Sequence, residues 1–144
     1  MNNNVDNKTA SFIECVGGLI IFHDKILLGL RALDSELYPG VWDVFGGHVE
    51  SGETLEEALS RECREELDIT PKNISCIGTF LEPDPQRNGN RRYHFFKITS
   101  WSGPGPRLCG LEHSEIQWYN LDDALRLKLA APEYRKILRE NLTL

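Results

Sequence analysis

The chain is poor in the features that would send it to a membrane, an export route or a nucleic-acid backbone. No apolar run approaches the roughly 20 residues of a membrane-spanning helix, and no secretory apolar segment follows Met1. Cysteine is scarce: Cys15, Cys63, Cys76 and Cys109 form no C-x-x-C pair and no zinc spacing. They read as reduced thiols of a cytoplasmic protein, with neither a disulfide framework nor a zinc site. Positive charge is outweighed, with 16 Lys and Arg against 22 Asp and Glu and a formal net charge of −6. That argues against a protein held to a nucleic-acid duplex through phosphates. It leaves room for a small anionic substrate bridged by metal. There is no internal repeat, low-complexity tract or second domain, and oligomeric state is not readable.

What remains is an ordinary globular composition: 144 residues, 40% hydrophobic and 26% charged, enough for one domain with a real core. Residues 1–10 are Asn-rich and polar and read as a disordered tail, with the folded domain over residues 11–144.

The stretch from Gly47 to Ile69 organises the rest. A Gly-rich turn feeds Thr54-Leu55-Glu56-Glu57, a capping box, and helical pattern continues to about Leu67. Asp68 tolerates a left-handed cap and Pro71 disfavours continuation. At about 100° per residue, Leu55, Ala58 and Leu59 share a face that continues into Glu62, Glu65, Glu66 and Ile69. A core-facing stripe therefore turns acidic. Carboxylates placed so closely repel one another and must protonate unless a cation sits among them. Oxygen donors alone suit a hard divalent ion, Mg²⁺ with Mn²⁺ as the alternative, rather than zinc. The competing reading is a solvated helix laced by i,i+4 pairs such as Arg61 with Glu65.

Around this helix the predicted elements are strands over residues 12–22 and 26–31, a short strand over 41–45, strands over 74–81 and 93–101, a last strand over 116–119, a short helix over 121–127 capped by Asn120, and a terminal helix behind Pro132. Residues 82–92 read as a loop with a turn at Asn88-Gly89; its arginines, Arg87, Arg91 and Arg92, read most simply as a solvated tip. Strands and helices in this order predict an α/β fold, a mixed sheet covered by helices as an α/β/α sandwich. Arg31, closing the second strand, is a candidate phosphate contact. Trp42 and Asp43 lie roughly 10–13 Å along a strand from Gly46 and Gly47, about the reach from a diphosphate to its base. They are candidate base contacts; their side chains point to opposite faces, so one of the two is expected to touch substrate.

The spacing Gly47, five residues, Glu53, seven residues, then Arg61-Glu62-Cys63-Arg64-Glu65-Glu66 resembles the box of the Nudix hydrolases. Asp68 stands where the family carries Gly, a departure that bears on the helix cap more than on the chemistry. The resemblance implies a Nudix-type sandwich and Mg²⁺-dependent hydrolysis of a diphosphate linkage in a nucleoside diphosphate joined to another moiety. It points to a (d)NTP or oxidised purine nucleotide as substrate; the alternatives are ADP-ribose or a sugar nucleotide, or a non-catalytic nucleotide-binding domain. It also implies that Glu62, Glu65 and Glu66 hold metal with the carbonyl of Gly46, that Arg61 braces loop and helix through Glu53, and that a carboxylate outside the box joins them. Glu115 is chosen for that place, with Glu112 the alternate. Glu62 or Glu115 is expected to take the proton of the attacking water.

Overall fold

Strand β1 (Ile13–Phe22) turns through His23 and Asp24, whose φ angles of 51° and 59° match the right-handed twist of a two-residue hairpin, into β2 (Lys25–Arg31). The two strands pair only at Ile20–Phe22 against Lys25–Leu27, and then part. The chain returns to fill the gap from both sides. Strand β3 (Trp42–Asp43) pairs with β2 at Gly29 and Leu30, and one residue later β4 (Phe45–His48) pairs with β1 at Cys15–Gly18. The single strand predicted over 41–45 is therefore broken at Val44, because its halves serve diverging partners. The structure, a computed structural model, describes residues 11–142; the tail expected over 1–10 lies outside the described residues.

Strands β5 (Thr70–Leu81) and β6 (Arg91–Ser102) form an antiparallel pair, and β6 lies parallel to β1. Strand β7 (His113–Tyr119) pairs with β2 on its other side, completing a seven-stranded mixed sheet. Strand β5 begins earlier than Ile74, since register irregularities around Pro71 and Asn73 absorb the proline that cannot donate to the ladder. Helix α1 (Leu55–Leu67) covers one face. The predicted 82–92 loop contains a one-turn helix, α2 (Pro85–Asn88), with Pro85 in its first turn and Asp84 accepting from the Arg87 amide. Helices α3 (Leu121–Leu125) and α4 (Glu133–Asn141) cover the opposite face.

Strand alternation sends the apolar side chains to two cores. Val16, Ile20 and Leu27 pack with Phe45, Leu59, Cys63 and Leu67 under α1. Leu19, Ile21, Ile26 and Leu28 pack with Phe95, Tyr134, Ile137 and Leu138 beneath α3 and α4. The apolar stripe read in the terminal helix, Tyr134, Ile137, Leu138 and the following Leu142, is buried as expected. The fold is the predicted α/β/α sandwich.

The parallel register sets Glu14 of β1 beside Arg92 of β6. Arg92 NH2 donates to Glu14 Oε2 at 2.5 Å, and His94 Nε2 lies 2.7 Å from Glu14 Oε1. The Arg92 hydrogen bond, outweighing partial burial and aided by His94, lowers the Glu14 carboxyl from 4.5 to about 2. A folded value below the unfolded one gives stability present above about pH 4.5 and lost as pH falls toward 2. The two side chains are 33% and 38% exposed, so screening holds the contribution to about 1 kcal/mol or less. Urea unfolding of wild type and Glu14→Gln should show this gap at neutral pH and its disappearance near pH 2; a gap independent of pH would contradict the assignment.

Candidate active site

Helix α1 starts on the capping box read from the sequence. Thr54 Oγ1 accepts from the Glu57 amide at 3.1 Å, and Glu57 Oε1 accepts from the Thr54 amide at 2.9 Å. It ends on Asp68, whose φ of 58° gives the left-handed cap without glycine. Asp68 also accepts from Arg107 NH2 at 2.5 Å, which fixes the cap residue against the loop before β7. Between these ends, Glu62 and Glu66 follow Ala58 and Leu59 into the protein and are 9% and 5% exposed. Glu65 differs from the expectation of three core-facing acids: it sits on the exposed shoulder of the helix, with its carboxylate at the edge of the cleft.

Arg61 ties this helix to the preceding turn. Its Nε donates to Glu53 Oε2 at 2.7 Å and its NH2 to Glu53 Oε1 at 3.0 Å and to the His48 carbonyl at 2.9 Å. Its NH1 donates to Glu62 Oε2 and to Glu65 Oε1, both at 3.0 Å. The i,i+4 pair of the solvated-helix reading is thus present, but as one arm of a fork that also grips the turn. The fork holds the Glu53 carboxyl down to about 2, helped by the Glu50 amide. Gly47 is required by the same packing: a Cβ there would lie 2.6 Å from Glu62 Oε2.

Glu66 is the anomaly in the arrangement. Neither of its buried oxygens has a hydrogen-bond partner among the described residues. Burial pushes its carboxyl well above the usual carboxylate range, and the negative charge of Glu112 pushes it further. Burial also raises Glu62, partly offset by the hydrogen bond from Arg61. Donor atoms of Glu66, Glu112 and His113 lie within 4.8 Å of one another. Orphaned carboxylate oxygens crowded together are expensive as they stand and suit a divalent cation.

Of the two carboxylates read for the place outside the box, Glu112 lines the cleft and Glu115 does not. Ile116 and Trp118 of β7 pack toward α1, so alternation turns Glu115 and Gln117 to the other face. Glu115 is exposed there, where its charge raises the Tyr119 hydroxyl after burial, and it is absent from the cleft. Glu112, one residue before β7 begins, lies at the cleft wall.

The cleft itself, about 490 Å³, opens where β1 and β2 part. Gly46, Gly47, Glu62, Glu65 and Glu112 line its acidic end; Asp43, Val44, Tyr93, Phe95 and Tyr134 line its inner end. Arg31 reaches it, but its Nε donates to the Leu37 carbonyl and its NH2 to Ser35 Oγ, both at 2.8 Å, and its NH1 is 3.7 Å from Asp43 Oδ2. Asp43, its side chain 15% exposed, accepts from Tyr134 OH at 2.5 Å, and desolvation raises its carboxyl against that hydrogen bond. Trp42 is not in the cleft. Its ring meets Tyr119 edge-on at 5.2 Å against the α3–α4 core.

Sequence reasoning passed over Arg91, Tyr134 and His113. Arg91, a solvated tip by its sequence context, lines the cleft, its NH1 2.5 Å from His48 Nε2 and its Nε donating to the Asn88 carbonyl at 2.7 Å. Among the described residues it has no carboxylate within ion-pair distance, unlike Arg31, Arg61 and Arg92. Tyr134 reads from its helical stripe as core alone. No local signal distinguishes either residue, since both reach the cleft through distant strand and helix packing.

The sequence profile of the NUDIX domain matches residues 13–140. Among similar proteins are a CTP pyrophosphohydrolase of Escherichia coli, 32% identical over 120 residues that cover 82% of this chain and 83% of that protein, and an ADP-ribose pyrophosphatase of Methanocaldococcus jannaschii, 31% identical over 125 residues, 87% of this chain and 70% of that one. Among solved structures, a MutT NUDIX hydrolase from Burkholderia pseudomallei superposes with a TM-score of 0.75 at 26% identity, covering 92% of this chain and 99% of that one. An α/β/α sandwich split at a cleft, a helix turning acidic beside that cleft, and a domain match running from β1 into α4 have one common account: the chain belongs to the Nudix family of hydrolases, which cleave pyrophosphate bonds.

Proposed function

We propose that the protein is a cytoplasmic, Mg²⁺-dependent nucleoside triphosphate pyrophosphohydrolase, with Mn²⁺ able to replace Mg²⁺, releasing a nucleoside monophosphate and pyrophosphate. The observation that carries the metal reading is the pair of buried, unpartnered oxygens of Glu66 beside Glu62 and Glu112. Similarity to the CTP pyrophosphohydrolase supports the triphosphate substrate. Similarity to the ADP-ribose pyrophosphatase supports a second reading with the same site. None of the described helices is long and apolar enough to cross a membrane.

Glu62, Glu66 and Glu112, with the Gly46 carbonyl and Glu65 at the rim, are the groups that would hold the cation. Once bound, it supplies charge neutralisation along the diphosphate and acidifies water. The protein's own share is orientation and proton transfer. Arg61 fixes Glu62 and Glu65 relative to the turn, so these carboxylates enter the reaction pre-organised. Arg91 offers an uncommitted positive charge to phosphate oxygens at the cleft wall. Glu112 takes the proton of the attacking water: it is exposed to solvent and is neither buried like Glu66 nor engaged by Arg61 like Glu62 and Glu65. As water adds to phosphorus, the bridging P–O bond breaks and the leaving oxygen departs with the distal phosphates. Asp43 and Tyr134 meet the base at the inner end.

Glu66→Gln preserves size and removes one charge. Its kcat should fall by roughly two orders of magnitude or more, and EDTA should abolish wild-type turnover. Mg²⁺ should raise the melting temperature of wild type and much less that of Glu66→Gln, by mass action on the folded state. Full activity in EDTA, or equal melting shifts, would end the metal reading. A panel of CTP, other purine and pyrimidine triphosphates and ADP-ribose, with products identified, separates the two substrate readings.

The base end has its own test. Asp43→Asn should alter the ranking of bases and raise KM while leaving the Mg²⁺ requirement intact; Trp42→Phe should do neither. An unchanged ranking in Asp43→Asn would move base recognition elsewhere in the cleft.

A further inference from the structure

His113 opens β7 directly beneath the acidic end of α1, and its side chain is 2% exposed. The ring occupies a slot made for it. Phe45 packs with its ring centroid 4.9 Å away, and a Cβ on Gly29 would come within 2.5 Å of the imidazole Cδ2. In that slot Nδ1 lies 3.5 Å from Glu66 Oε1. Among the described residues neither Glu66 oxygen has a hydrogen-bond partner, and neither has His113 Nε2. A neutral imidazole carries one N–H. Left bare, Nδ1 would set its lone pair against those of a carboxylate; protonated, it turns the same approach into attraction.

We propose that His113 is a positioning residue that, through Nδ1–H, holds the Glu66 carboxylate in the orientation it presents to the divalent cation. The inference rests on the metal reading given above. Glu62 and Glu65 are oriented by Arg61, whereas Glu66 has no guanidinium within ion-pair distance among the described residues. Its backbone is fixed by α1, but its terminal torsion is broad unless something outside the helix sets it. His113 is the polar side chain buried against it, and Gly29 and Phe45 set the angle of the ring. Carboxylates that ligate metals are themselves commonly hydrogen-bonded from behind, and losing such a partner weakens binding by about 10- to 100-fold.

Direct Mn²⁺ titration of the full chain, followed by the electron paramagnetic resonance of free Mn²⁺, reads this without turnover. His113→Phe fills the slot and removes both nitrogens. His113→Asn places an amide N–H near the former Nδ1, and His113→Gln places one near the former Nε2. His113→Phe should bind Mn²⁺ about 10-fold more weakly or worse, His113→Asn should recover most of the loss, and His113→Gln should not. Wild-type affinity in His113→Phe, with binding lost in Glu66→Gln, would overturn the positioning role and leave the metal site standing. Wild-type affinity in Glu66→Gln would overturn the metal reading itself. Recovery by Gln and not by Asn would mean direct ligation through Nε2 and would also overturn the positioning role. Should His113→Phe fail to fold, the Asn–Gln comparison decides, and equal affinities in those two variants overturn the proposal.

Discussion

The fork of Arg61 is the contact on which the site depends. One guanidinium binds the turn at His48 and Glu53 and the helix at Glu62 and Glu65. Arginine is suited to this because its donors are planar and fixed, and its charge persists at any working pH. A lysine also carries three donors, but from a single point, so it lacks the planar fork that reaches turn and helix at once. Because the fork holds Glu62 against the backbone at Gly47, it also explains why a side chain at that position would collide with a carboxylate.

The second constraint is topological. Strands β1 and β2 separate after a short stretch of pairing, and the returning chain is divided between them at Val44. A cleft is thereby built into the sheet, with its floor formed by strand backbone. The acidic helix lies along one side, and the inner end is closed by Phe95 and Tyr134 from the opposite core. The acidic end and the inner end of the cleft thus come from different layers of the sandwich. This is a physical reason for expecting substitutions at Asp43 and at Glu66 to have separable effects.

Electrostatically the site is a concentration of negative charge that the fold only partly answers. Arg61 offsets Glu53, Glu62 and Glu65; Glu66 is left buried, its carboxyl displaced upward by desolvation and by Glu112. An arrangement this costly is expected at functional sites, where charge is held for a ligand and not for stability. The contrast with Glu14 is instructive. There Arg92 and His94 satisfy a carboxylate fully and lower its pKa, and the group serves to join strands.

What the sequence determined by itself was whatever depends on short range. The capping box, the left-handed cap at Asp68, the helix length and the apolar stripe of α4 follow from residues within a turn or two, as did the spacing that resembles the Nudix box. The sandwich followed from element order and alternation. Tertiary structure decided what distant packing controls. It brought Glu112 and not Glu115 to the cleft wall, because only the pairing of β7 with β2 tells which side chains face α1. It sent Trp42 to the core and Asp43 to the cleft, although alternation had already assigned them opposite faces. It brought Arg91, read as a solvated tip, to the cleft wall, and His113 under Glu66. A period of two gives opposite faces but not which one is inside; that sign is set by the partner strand, and the sequence carries it only through the whole fold.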